Sequence, residues 1–375
     1  MTTETTETPA TTARAAREAF ERLEELYRKY AILPSEHHYT ALVLWAAHTW
    51  VVDAFDTTPR LFLDSPVPAC GKTRVLELLE GTAKNPLSVF NASSAALIRT
   101  IDKGDRAILF DEIDSIYAKS AGTEDITAVV NAGYKRGATV PRCVGQGMDI
   151  EVVELRAFAP IALAGLYTQV PDAVRSRSVH FRMAKRRPTE HISPFKKRVY
   201  EKETQSVRDF FMAWAEPAVE LLDGEYPSLP AGIEDRDAEV WEPLIAVADL
   251  VSGAWPKRAR EAAEAFVFGR RPDAPTLGVE MLELVREIVG DKSHIRTGAL
   301  LSAIVVNSNS PWSETQRGPL TARSLATVLR PFEVFSRQFR DPKTGDKVRG
   351  YSTTGEGGLA EAFERYLDPL ETPAT

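Results

Sequence analysis

Cysteine is nearly absent from this chain: only Cys70 and Cys143 occur in 375 residues, and neither has a spacing partner. That excludes a disulfide-stapled scaffold and a cysteine-rich zinc module, and it fits a reducing compartment. No apolar run approaches the roughly 20 residues that a membrane-spanning helix needs. The first residues are rich in Thr and Glu and lack the apolar stretch of a secretory signal. The expectation is a cytoplasmic chain with no membrane partner. An excess of basic residues is missing too: 46 Lys and Arg stand against 53 Asp and Glu, a net charge of -7. A surface that is basic all over is therefore excluded, whereas a local basic groove is not. What remains is globular, because 43% hydrophobic and 26% charged residues allow a sizeable core, and the length suits two or three domains.

Residues 1–13 carry Thr, Glu, Pro and Ala without large apolar side chains and read as a disordered tail. Ala16, Phe20, Leu23 and Leu26 recur at helical spacing and predict a helix from Ala13 to Tyr30, with a second from Ser35 to Phe55; these make an N-terminal helical segment, 14–57. From 58 to 190 short apolar runs alternate with helical stretches, the pattern of a parallel sheet with crossover helices. The runs are Leu61–Leu63, Leu87–Phe90, Ala107–Phe110, Ile161–Leu163 and Ser178–Phe181. Over 191–290 the strand signal vanishes, and Val240, Leu244, Ala248 and Val251 predict a helical lid. In 291–367, helices at Arg296–Val306 and Thr321–Arg330 precede two extended runs around Phe339 and Tyr351, a winged-helix-like outline. Residues 368–375 form a second tail.

The segment from Leu61 to Thr73 runs strand, loop, helix, the context of a phosphate loop. Backbone N–H groups of Ala69, Cys70 and Gly71, with the helix start at Lys72, Thr73 and Arg74, would wrap a β-phosphate. Lys72 would reach the β- and γ-oxygens, and the Thr73 hydroxyl would ligate Mg²⁺. The loop departs from the usual pattern, since Pro66 stands where the first glycine belongs and Pro68 fixes a second φ angle. Gly-Lys-Thr alone also arises by chance at surface helices. The stretch Ala107–Glu112, an apolar strand ending in two carboxylates 39 residues beyond Lys72, raises the case. Asp111 suits a magnesium-organising acid and Glu112 a base that polarises the attacking water. Asp114 is assigned to solvent or helix capping. ATP and Mg²⁺ are the expected ligands.

These segments, together with His48–Trp50, Asn131–Gly137, Leu163–Gly165, Pro171–Arg177, Asp235–Arg236, Trp241–Leu244 and Ala254–Pro256, resemble a P-loop family of actinobacterial and phage proteins of unknown function. The resemblance spans about residue 38 to 367 and implies NTP binding, an association with mobile elements and the cytosol of a bacterial host. The order of parts is similar to AAA+ ATPases, which implies an α/β P-loop NTPase core of AAA+/RecA-like type, a helical lid and a winged-helix-like module. It also implies a homo-oligomeric ring, hexameric by preference. In that class an arginine reaches the γ-phosphate held by a neighbouring subunit; Arg177, or else Arg175, occupies the matching segment, and Thr168 is the substitute for the sensor residue.

DNA contact has several candidates. A hairpin is predicted from runs Ala138–Val144 and Ile150–Leu155 around Gly145-Gln146-Gly147, with Lys135, Arg136 and Arg142 on its approaches; a purely structural hairpin is the competing reading. Lys185–Arg187 and Lys196–Arg198 would bind phosphate, contact nucleotide or merely solvate a helix. In the C-terminal module Arg323 on the recognition-type helix from Thr321 and Lys347 on the wing, Lys343 to Arg349, are candidate DNA contacts, with a protein-interaction module as the competing reading. His37, His38, Trp45 and Trp50 are read as helix packing. The leading expectation is an oligomeric AAA+-like ATPase acting on DNA, of the replication helicase or initiator type. A non-motor ATPase switch in a regulatory or defence assembly is the alternative, and a nucleotide-binding fold without turnover is a third.

Overall fold

The computed structural model describes residues 9–65, 68–89, 94–113, 123–146, 149–166, 171–269, 277–306, 320–340, 345–355 and 357–367. The chain divides into two compact units, with the boundary in sequence between Gly269 and Arg270.

The first unit opens with α1 (Pro9–Tyr30), which starts four residues before the predicted position. Proline at the first helical position costs no hydrogen bond, because that N–H would be unpaired in any case. Its buried stripe of Ala16, Phe20, Leu23, Tyr27 and Tyr30 follows helical spacing. Next, α2 (Glu36–His48) is buried at every residue from Tyr39 to His48. It ends well short of Phe55. The Thr49 hydroxyl donates to the Ala46 carbonyl at 2.6 Å, the Trp50 indole donates to the Thr82 carbonyl at 2.9 Å, and a 3-10 turn follows at Val52–Ala54. One local and one tertiary hydrogen bond replace the continuation that periodicity alone predicts.

All five predicted strands form one parallel sheet: β1 (Arg60–Ser65), β2 (Leu87–Val89), β3 (Ile108–Phe110), β6 (Ile161–Leu166) and β7 (Ser178–Arg182), in the spatial order β2-β3-β6-β1-β7. Both faces are covered. Leu61, Leu63, Leu109, Ala162, Ala164, Val179 and Phe181 enter one hydrophobic cluster, while Phe62, Ile108, Phe110, Ile161 and Leu163 enter another. Period-two alternation with both faces buried is why these strands read as plain apolar runs. The crossovers include α3 (Lys72–Glu80), α4 (Ser94–Asp102) and α5 (Thr123–Ala132); α3 lies across β1, β6 and β3. The predicted hairpin is an antiparallel ribbon of β4 (Thr139–Gln146) and β5 (Asp149–Arg156), with Gln146 paired to Asp149. Residues 147 and 148 of its tip lie outside the described residues.

Among the described residues, the Arg60 guanidinium is buried completely. Arg60, at the amino end of β1, donates through Nε and Nη2 to the Val130 carbonyl and through Nη1 to the Ala159 carbonyl at 2.6 Å. It thereby ties the end of α5 and the approach to β6 to the central strand. Beyond the sheet, α7 (Lys197–Glu203), α8 (Gln205–Leu222), α9 (Asp235–Val251) and α10 (Trp255–Phe268) complete the unit. The short α6 (Asp172–Arg175) precedes β7.

The second unit contains α11 (Leu277–Val289), β8 (His294–Arg296), α12 (Thr297–Val306), α13 (Ala322–Leu329), β9 (Arg337–Arg340), β10 (Lys347–Ser352) and α14 (Leu359–Tyr366). Its three strands form an antiparallel sheet in the order β8-β10-β9. The sequence reading assigns α11 to the helical lid, but Met281, Leu282, Val285 and Val289 share a buried cluster with Leu300, Ile304, Leu325 and Tyr351. That common core carries the helix into the second unit.

His48 is wholly buried and stacks on Phe55, and neither ring nitrogen has a hydrogen-bond partner among the described residues. Burial, reinforced by the charge of Arg60, pushes its pKa down to about 3. The folded state therefore keeps a neutral ring that the unfolded chain protonates below its ordinary value of 6.5. Stability is full above that pH and is lost as pH falls toward 3. At pH 5 the loss from His48 is about 2 kcal/mol. Urea unfolding at pH 7 and pH 5 should show the stability difference shrinking by about this amount in His48→Leu. An unchanged difference would show that His48 is not the buried neutral group.

Candidate active site

Because the five strands are parallel, their carboxyl ends share one edge of the sheet, where ligands of such folds bind. The phosphate-loop segment leaves β1 at Ser65, and the acidic pair leaves β3 at Phe110. Between these strands runs β6, with Leu163 paired to both Phe62 and Phe110. Two inter-strand spacings, about 10 Å, thus separate β1 from β3 at this edge. Small residues on β6, Ala162 and Ala164, lie beneath α3 in the same buried cluster and permit its close approach.

The described part of the loop has an unusual backbone. Ala69 and Gly71 both adopt left-handed backbone, with φ of 62° and 88°. Successive N–H groups in such alternating turns converge on a concavity that favours negative charge. Gly71 is the N-cap of α3, and its carbonyl accepts the Val75 N–H at 3.1 Å. Lys72 is the first helical residue and turns back, its Nζ donating to Ser65 Oγ. Thr73 is exposed in the first helical turn. Cys70 buries its side chain in the core, so its offering to the loop is backbone. Arg74 points elsewhere: it pairs with Glu77 at 2.9 Å and stacks at 4.0 Å on the Phe195 ring. Pro66 lies outside the described residues.

Across the gap, the half-buried Asp111 accepts the Glu112 N–H on Oδ1 at 3.0 Å, and its own N–H donates to the Val89 carbonyl. Glu112 is exposed and adopts a φ of 55°, a strained conformation for a side chain of this kind. Buried Ile113 anchors the segment behind it. Asp114 lies outside the described residues. A hydroxyl and a carboxylate are hard oxygen donors of the kind magnesium takes, with water and phosphate oxygens completing the shell. Among the described residues no cluster of three or more His, Cys, Asp or Glu could hold a metal by itself.

Arg177 stands at the opposite edge. Its carbonyl accepts the Arg60 N–H at 2.9 Å, level with the amino end of β1 and roughly 16 Å along the strand from Ser65. Its guanidinium donates to the Ala173 carbonyl and lies 4.7 Å from the ring centre of Tyr134. Arg175 pairs with Asp172. Tyr134 collects more cations: Arg236 donates to its hydroxyl and to Glu239, and Lys135 pairs with Glu239 at 2.9 Å. Burial pushes the Glu239 carboxyl up, but Lys135 and Arg236 outweigh it and hold the group below its ordinary value. No motif in the sequence assigns a role to Tyr134, Arg236 or Glu239, although Tyr134 and Arg236 stand in stretches that carry the family resemblance.

The candidate DNA contacts divide. Lys135 is held by Glu239, and Arg136 donates to the carbonyls of Phe55 and Asp53. Both therefore tie the ribbon base to neighbouring elements. Arg142 is half-buried on β4. Arg323 on α13 and Lys347 on β10 are exposed, the latter paired across the ladder with Arg340. Thr168 and Lys343 lie outside the described residues.

Residues 182–366 match the family described as Protein of unknown function (DUF3631). An uncharacterized 28.9 kDa protein in the xis 5′ region of Saccharopolyspora erythraea is 31% identical over 185 residues, 49% of this chain and 68% of that protein. The chain belongs to this family. The DUF3631 match begins at the last residue of β7, so the stretches around Lys72, Asp111, Tyr134 and Arg177 precede it. Among solved structures, the apo A form of the NrS-1 C-terminal region is similar at 11% identity, covering 89% of this chain and 74% of that one with a TM-score of 0.41. The Aeropyrum pernix ORC1 protein in complex with DNA is similar at 12% identity, covering 92% and 96% with a TM-score of 0.27. At these scores neither likeness establishes a shared fold.

Gly71→Ala isolates the backbone requirement of the loop. A Cβ there would meet only Met183 Cε at 3.7 Å, an ordinary contact, so the cost is conformational. Thermal unfolding should show a loss of about 1 kcal/mol. No change in Tm would mean that the loop does not need the left-handed conformation.

Proposed function

We propose that this chain is an ATPase of the P-loop type, AAA+-like in layout, that assembles into a homo-oligomeric ring and acts on DNA. The observation that supports the reading is that Lys72, which opens α3 after β1, and Asp111 and Glu112, which follow β3, stand at the same edge of a parallel sheet with one strand between β1 and β3. Loop N–H groups and the Lys72 ammonium would bind the β- and γ-phosphates of ATP. Glu112 would orient a water and accept its proton. Thr73 and Asp111 would hold Mg²⁺, which when bound supplies charge neutralisation at the phosphate oxygens. Arg177 lies too far from the phosphate loop of its own chain, so its service to hydrolysis requires a neighbouring subunit. The order helix, strand, helix, helix, strand, strand in the second unit supports a winged helix, with Arg323 and Lys347 as DNA contacts.

A second reading, a nucleotide switch without translocation, is favoured by one observation. The cations at the ribbon base, Lys135 and Arg136, are engaged internally, which leaves the ribbon poorly equipped to grip phosphate.

Steady-state ATPase, measured with and without single- and double-stranded DNA, separates the two. A motor is stimulated by DNA and a switch is indifferent to it. Lys72→Ala and Glu112→Gln should each lower turnover by about a hundredfold or more. Absence of turnover in the parent protein would refute the enzyme. For the ring, Arg177→Ala and Lys72→Ala should each be inactive alone yet regain activity when mixed, since each supplies what the other lacks. Full activity of Arg177→Ala alone would refute the trans-acting arginine.

A further inference from the structure

Among the described residues, the three strands of the second unit carry no acidic residue. Their thirteen residues, His294–Arg296, Arg337–Arg340 and Lys347–Ser352, include five cations: Arg296, Arg337, Arg340, Lys347 and Arg349. The faces of this sheet differ. On the inner face Ile295 and Tyr351 are buried in the core of the unit. On the outer face the register sets Arg296, Gly350 and Arg337 in one row across β8, β10 and β9. Phe339 and His294 belong to the same face on either side of that row, and their rings meet with centroids 4.7 Å apart at 35°. Gly350 makes this possible, since a Cβ there would stand 2.8 Å from Phe339 Cε1 and 2.1 Å from the Ile295 carbonyl oxygen.

The result is an aromatic pair on a central glycine, with an exposed arginine on each edge strand; His294 is exposed and Phe339 partly so. An aromatic ring over a strand glycine can serve packing alone. Packing does not call for a sheet devoid of carboxylates with guanidinium groups to either side. We propose that this outer face is a stacking platform for single-stranded DNA, in which unpaired bases lie on Phe339 and His294 while Arg296 and Arg337 contact the flanking phosphates. Base stacking of this kind tolerates any sequence and needs the bases unstacked from a duplex. Lys347 alternates to the opposite face of β10 from Gly350, so the platform is a separate surface from the Lys347 contact; it rests on the DNA-acting part of the proposed function, not on ATP hydrolysis.

The test is fluorescence anisotropy of a labelled 15-nucleotide oligo-dT with the full chain, without nucleotide, beside Phe339→Leu, Phe339→Trp and Arg337→Gln. Leucine keeps an apolar cover over Gly350 and loses the π face, so Phe339→Leu should weaken binding about tenfold with Tm unchanged. Phe339→Trp should bind as the parent does, and Arg337→Gln should bind more weakly and flatten the salt dependence. Parent-like binding by a folded Phe339→Leu would overturn the platform, as would equal loss on oligo-dT and on a duplex of the same length. Because no nucleotide is present, an inactive ATP site leaves these outcomes untouched. Conversely, intact DNA-stimulated ATPase in Phe339→Leu with unaltered oligo-dT binding would sink the platform and spare the enzyme.

Discussion

Strand β1 is the element on which the rest depends. It pairs on both sides, with β6 and β7, and is buried along its whole length. Its amino end carries Arg60, whose guanidinium binds carbonyls of two other segments in the core. Its carboxyl end delivers Ser65, which accepts a hydrogen bond from Lys72 across the loop. A buried charge of this kind is tolerable only when its donors are satisfied, so α5 and the entry to β6 are held to β1 by the same requirement that keeps Arg60 inside. The spacing of the candidate active site follows, because β6 is thereby fixed between β1 and β3.

That arrangement divides the first unit into two chemical ends. At the carboxyl edge the backbone is left-handed at Ala69, Gly71 and Glu112, in the segments that follow β1 and β3. At the amino edge, cations gather around the ring of Tyr134 with Glu239 as their partner. A trans-acting arginine belongs at an edge away from its own phosphate loop, and Arg177 meets that condition. The second unit adds a different electrostatic character, an all-basic small sheet in a chain whose net charge is negative.

Much of this was legible in the residues. Strands buried on both faces appear as apolar runs, and the five runs of the core are the five strands of the sheet. The phosphate-loop and acidic residues were legible as types at a spacing, but the strand order that sets β6 between them is a property of the folded chain. The engagement of Lys135 and Arg136 was not legible, because a charge in sequence looks the same whether it meets water, a distant carboxylate or a carbonyl 81 residues away. Periodicity identified residues around Leu282 as helical without saying which core the helix would join, and three-residue β8 is too short to give a signal. The end of α2 depended on the Trp50 indole finding the Thr82 carbonyl, a contact across 32 residues.

The central claim is that a nucleotide binds at the carboxyl edge between Lys72 and Asp111. Calorimetric titration of a non-hydrolysable ATP analogue with magnesium into the parent protein and into Lys72→Ala tests it most directly. The account predicts saturable binding that weakens by about tenfold or more when the charged partner of the phosphates is removed. Equal affinity in both proteins, or no binding to the parent, would contradict it.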